Sequence, residues 1–123
     1  MSAKDIQFFF ILRNQVKLYH WQTKSYSRHK ATDDAVEKLD SLIDQYVEVY
    51  MGKYGRPRMT ASTGTLVVKN VSEQAMVRFI QQAIAYLQKD LVKHLKASDT
   101  DLINLRDEIM ADLHQLLYLF TLK

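Results

Sequence analysis

LYHWQTKSYSRHKATDDAVEKLDSLIDQYVEV, residues 18–49, decides how the chain folds. It opens on the end of one helix, crosses a short polar turn, SYSR, and enters a second helix. From Ala35 onward, Leu39, Leu42, Ile43, Tyr46 and Tyr50 recur at steps of three and four residues. That spacing puts them on one core-facing stripe. His20 and His29 stand on either side of the turn, nine positions apart, so both imidazoles reach one region.

Working outward, a first helix is predicted from about residue 4 to residue 24. Phe8, Phe9, Phe10, Ile11 and Leu12 are consecutive there, which makes nearly every face apolar. A helix apolar all round is buried on more than one side. A four-helix monomer buries one stripe per helix, so the excess predicts a subunit interface. The second helix is predicted over about 29–51, ended by Gly52 and Gly55. Residues 55–71, with Pro57, Gly64 and several Ser and Thr, read as a long connection. A third helix starts at the N-cap Ser72 and runs to about residue 96, carrying Met76, Phe79, Ile80, Ala83, Leu87 and Leu91. A fourth follows SDTD, which resembles a capping box, and carries Leu102, Leu105, Ile109, Leu113, Leu116 and Phe120. The expected architecture is all-α. It is one domain over residues 1–123, a ferritin-like four-helix bundle with the long crossover between the second and third helices.

Composition agrees with this. A chain of 123 residues predicts one domain with a core of its own. It has no cysteine, so disulfides and thiolate metal sites are excluded. A metal would have to be held by His, Asp and Glu, which favours iron, manganese or zinc. The apolar run FFFIL is too short for a signal peptide, and no stretch is long enough to span a membrane. The expected setting is therefore soluble and cytoplasmic. The net charge of +3 permits contact with nucleic acid without arguing for it.

The acids are more telling than their sum. On a wheel of the second helix, His29, Asp33, Glu37, Asp40, Asp44 and Glu48 fall within about 100°. No Lys or Arg of that helix interleaves them. The four neighbouring like-charge pairs would cost the helix roughly 1–2 kcal/mol unless a cation offsets them. His29 gains nothing as a cation at a helix N-terminus but is a good ligand as a neutral imidazole. The competing reading is a solvated acidic face. An internal di-iron site is not expected, because no Glu is followed by His at the third position. His94 and His114 read as structural or surface residues.

The segment HWQTKSYSRHKATDDAVEKLDSLIDQYVEV resembles the Dps family of mini-ferritins. That family carries a His-Trp pair late in its first helix, a second His after the turn, and an Asp four residues on. An Asp and a Glu four residues apart follow down the second helix. Here these match His20 with Trp21, His29, Asp33, Asp44 and Glu48. The likeness is concentrated in residues 17–50. It implies an iron site shared between subunits, with His20, His29 and Asp33 from one chain and Asp44 and Glu48 from its partner. The activity it implies is oxidation of Fe(II) by peroxide or oxygen, for storage and detoxification, in a homo-oligomer built from dimers, a dodecameric shell in that family. Zn or Mn would fit the same ligands. Trp21 would sit beside the site. DNA binding is expected to be weak: the family's lysine-rich tail is missing and Lys53, Arg56 and Arg58 substitute thinly for it. LYHWQTKSYSRHKATD, VEVYMGKYGRP and the ending LYLFTLK also resemble uncharacterised proteins of large DNA viruses. This implies a setting in host cytoplasm or a virion. The alternative functions are a non-catalytic DNA-binding or virion-associated structural protein that keeps only the fold, and a plain helical interaction module.

Overall fold

The computed structural model describes residues 2–123. Four α-helices form the fold: α1 Ala3–Gln22, α2 Tyr26–Tyr54, α3 Glu73–Lys89 and α4 Thr100–Leu119. No strand occurs among the described residues. None of these helices is long and apolar enough to cross a membrane.

Contacts between the ends fix the direction of each helix. A three-residue turn returns α2 antiparallel to α1. At the far end of α2, Lys53 Nζ lies 2.8 Å from Asp99, the residue that opens α4. α4 therefore runs back along α2, and its last turn brings Phe120 beneath the Arg28 guanidinium, 4.4 Å from the ring centroid. α3 starts at that same end, where Glu73 accepts from Tyr19 at 2.5 Å and pairs with Arg28 at 3.0 Å. It finishes beside the start of α1, where Tyr86 donates to Asp5 at 2.6 Å. The order is up, down, down, up.

The crossover, residues 55–72, accordingly spans the length of the bundle. It runs along α1 and is held by three glutamines of that helix. Gln7 donates to the carbonyls of Ser62 and Thr65. Buried Gln15 donates to Lys69 O at 2.8 Å and accepts from Lys69 N at 2.9 Å. Gln22 donates to Asn70. A carboxamide carries a donor and an acceptor side by side, so it replaces a backbone partner for a strap that has no ladder of its own.

The core collects the apolar stripes. Leu12, Val16 and Tyr19 of α1 meet Leu39 and Tyr46 of α2, Met76, Ile80 and Leu87 of α3, and Leu102, Ile109 and Leu113 of α4. The crowded FFFIL run divides by face. Phe9 and Leu12 are buried, Phe8 stacks on Tyr86 at 4.1 Å, and Phe10 is left half exposed.

Three boundaries differ from expectation. α2 begins at Tyr26, because Ser25 accepts from Arg28 N and caps it. Its far end passes through Gly52 and stops at Gly55, the one residue with positive φ among the described residues, at +88°. α3 stops at Lys89. A single 3-10 turn, Leu91–His94, follows and brings His94 Nδ1 to 2.8 Å from the fully buried Asp5 carboxylate. The acid of SDTD does not cap α4 with its side chain. Asp99 instead accepts from Lys53, Tyr54 and the Lys96 N–H, which together hold its carboxyl far below the usual range.

Gly55 carries a φ, ψ pair of +88° and −175° that side chains avoid. Its surroundings are open, so the cost of a side chain there is conformational alone. Gly55→Ala is expected to destabilise the fold by about 1–2 kcal/mol in chemical denaturation. Gly52→Ala, inside the helix with open space around it, is expected to stabilise slightly.

Candidate metal centre at the α1–α2 turn

His20 closes α1 and His29 lies in the first turn of α2. The turn between them is tight enough to stack the two rings, with centroids 4.0 Å apart and planes 16° from parallel. Each ring is fixed by the other's backbone. His20 Nδ1 donates to His29 O at 2.7 Å, and His29 Nδ1 donates to His20 O at 2.9 Å. A carbonyl only accepts, so both Nδ1 atoms carry hydrogen and both Nε2 atoms keep the lone pair of the neutral ring. Thr32 adds a second acceptor for His20 Nδ1 at 3.0 Å, its own proton going to Arg28 O at 2.7 Å.

This is the orientation a metal-binding histidine needs: one nitrogen tied back, the other presented. Asp33 lies one helical turn past His29, with its Oδ1 3.8 Å from His20 Nε2 and its side chain 60 % exposed. His20 is buried, so its ring does not wander.

The five candidate residues therefore fall into two groups. His20, His29 and Asp33 are brought together. Asp44 and Glu48 are exposed on the same helix, but eleven and fifteen residues past Asp33, or about 16 and 22 Å along the axis. Among the described residues, no three His, Asp or Glu side chains of one chain converge closely enough to hold a metal ion.

Asp44 lines a largely apolar groove of about 480 Å³ between α1 and α2, with Ile6, Phe10, Ile43, Val47 and Met51, and with Arg13 and Asp40 on the side toward the histidines. The half-exposed Phe10 belongs to this groove. Trp21 is 66 % exposed beside His20, with Lys17 Nζ 5.4 Å from its ring centroid. It is not a packing residue of the single chain.

The acidic stripe is less bare than the helical wheel implied. Arg13 of α1 reaches across and pairs with both oxygens of Asp40, at 2.9 and 3.3 Å. The cation missing from α2 comes from its neighbour, and Asp40 is thereby spent on a structural pair. Glu37 faces away, into a groove shared with α4. His114 is exposed and His94 serves the Asp5 contact, as expected of both.

Comparison with known proteins adds a family and a viral relative. The model of a family of unknown function (DUF5856) matches residues 20–120. A stretch of 37 residues is 51 % identical to the uncharacterized 14.6 kDa protein in the mobD-ri intergenic region of Enterobacteria phage T4, covering 30 % of this chain and 29 % of that protein. The chain is thus matched over less than a third of the phage protein's length. No solved structure matches. The likeness to uncharacterised viral proteins has its counterpart in the phage relative. The mini-ferritin likeness rests on the residues themselves.

Proposed function

The chain belongs to DUF5856, a family that brings no activity with it, and from that premise we propose that it is a Dps-like mini-ferritin that oxidises Fe(II) at a site shared by two copies. The observation that carries this reading is the reciprocally anchored histidine pair, which leaves both Nε2 atoms free of backbone partners and sets that of His20 3.8 Å from Asp33. The up, down, down, up order with one long crossover supports a ferritin-like fold. The apolar groove beside Asp44, with the half-exposed Phe10 in it, supports the second copy. A two-fold axis near the middle of α2 would set two such helices antiparallel and cover Phe10. It would also bring Asp44 and Glu48 of one copy to the histidines of the other.

The donor set fits the task. Two imidazoles and three carboxylates bind Fe(II) without the grip of thiolates, and carboxylates favour the ferric product. His20, His29 and Asp33 would position the metal, while Asp44 and Glu48 would complete its charge. In the reaction two Fe(II) each lose one electron. Hydrogen peroxide takes both with two protons, its O–O bond breaks, and two waters leave.

The test is an anaerobic Fe(II) titration of the metal-free protein followed by a pulse of peroxide. Saturable binding and fast ferric absorbance are expected. His29→Ala, Asp44→Asn and Glu48→Gln are each expected to weaken binding by at least about tenfold with helicity retained. Unchanged stoichiometry in all three variants would leave only a scaffold role, as a structural protein of the same fold.

A further inference from the structure

Away from the α1–α2 groove, α2 and α4 leave a second groove between them. It runs from Ala31 and Leu119 at one end to Leu42 and Glu108 at the other, in two continuous parts that share Lys38, Ser41, Asp112 and Gln115. From Ala31 to Leu42 is about 16 Å along the helix. Its floor is apolar, made by Ala31, Ala35 and Leu116 at one end and Leu42 and Ala111 at the other. Its charged lining is Asp34, Glu37, Asp112 and Glu108 against the single cation Lys38. Four acids and one base leave the groove near −3 on a chain of net charge +3.

Asp112 is the residue that asks for a ligand. It is only 7 % exposed, it lines both parts of the groove, and its Oδ2 is buried with no hydrogen-bond partner. A carboxylate oxygen buried without a donor is expensive, and structural acids are not left so. Every other buried acid of this chain is satisfied: Asp5 by Tyr86 and His94, Asp99 by Lys53, Tyr54 and Lys96. Ser2 Oγ and Tyr46 Oη are also buried without a partner, but they are hydroxyls outside this groove; among the described residues the bare carboxylate oxygen is that of Asp112.

The spacing of the acids selects the ligand class. They are spread along the groove and do not cluster, and no three of the described acids or histidines could share one metal ion. A single small cation is therefore a poor match. A long cation with several charges separated by methylenes matches each feature. Its ammonium groups would meet Asp112 and the rim acids, and its stems would cover the alanine and leucine floor. We propose that the α2–α4 groove binds a linear aliphatic polyamine, with Asp112 as the buried anchor and Lys38 as the resident cation it displaces. The inference is independent of the iron reading, whose residues do not line this groove.

Isothermal titration of the full chain with spermidine at about pH 8, where the carboxyl is ionised, tests it. Saturable binding of one spermidine per chain is expected, weaker by about tenfold in Asp112→Asn and tighter in Lys38→Gln. Circular dichroism of both variants checks that the fold is kept. Absence of saturable binding would overturn the proposal. So would equal affinity in Asp112→Asn, or displacement by magnesium chloride as efficient as by a second polyamine, which would mean diffuse attraction to surface acids. Tighter binding of a lysine-rich peptide than of spermidine would also overturn it and make the groove a protein-docking site.

Discussion

Chains carrying His29→Ala, mixed with chains carrying Asp44→Asn, are expected to recover Fe(II) sites that neither variant has alone. The geometry makes this the most demanding consequence of a shared centre. His29 and Asp44 of one chain are too far apart along α2 to share an ion, so each site must draw on two copies. In a homodimer of either variant, both sites lack a ligand. In a mixed dimer one site lacks two ligands and the other is intact. If chains assort freely, half of the dimers are mixed and each has one good site of two, giving about a quarter of the wild-type capacity. The measurement is anaerobic Fe(II) binding after joint refolding, with the separate variants as controls. Recovery near zero, with both variants folded and dimeric, would remove the two-copy site.

The second large effect concerns Asp112 and has a defined pH signature. Burial pushes its carboxyl up from 3.8 to about 6, and Lys38 offsets this only in part. The charged groups facing it across the groove are Lys38, Asp34 and Glu37 of α2, with Glu108 one turn before it on its own helix. In the unfolded chain the acid ionises near 3.8; in the folded chain it keeps its proton to about 6. The folded state thus binds more protons between these values, and stability falls as pH rises through that window. Above it the full penalty stands, about 2–3 kcal/mol for a shift of this size. Asp112→Asn cannot ionise and is expected to recover most of that amount in denaturant unfolding near pH 8, and almost nothing near pH 4. An equal gain at both pH values would mean that the effect is packing and not charge. A residue that destabilises the free protein at neutral pH fits a binding role, since functional groups are often held at the expense of stability.

How far these features were legible follows from where each is encoded. The helices and the long crossover were readable because stripes of three- and four-residue spacing belong to single segments. Gly55, not Gly52, ends α2, because only Gly55 needs the left-handed backbone; sequence shows two glycines and not their φ. The 3-10 turn after Lys89 was not readable, since it depends on Asp5 drawing in His94 from the other end of the chain. At the site, spacing across the turn pointed to the meeting of His20 and His29. The carbonyls and Thr32 that hold their Nδ1 atoms were missed, because backbone acceptors have no sequence signature. Arg13 was missed because a wheel of α2 contains only α2. Asp112 did leave a signal: it stands three residues after Ile109 and four before Leu116, a charge inside a core stripe.

The clasp between Gln15 and Lys69 divides the crossover into two mechanically different lengths. Ahead of it, residues 56–68 are mostly exposed and are moored only by Gln7, so the segment behaves as slack. After it, Lys69 and Asn70 are tied to α1 directly before Ser72 caps α3. A cut or an insertion in the first length would change the path of a loop, at a small cost in closure entropy. The same change between Lys69 and Ser72 would shift where α3 starts, and with it the Glu73 contacts that join three of the four helices. The strap therefore works as an anchor with a loose rope behind it, and two glutamines of α1, Gln15 and Gln22, fix where α3 begins.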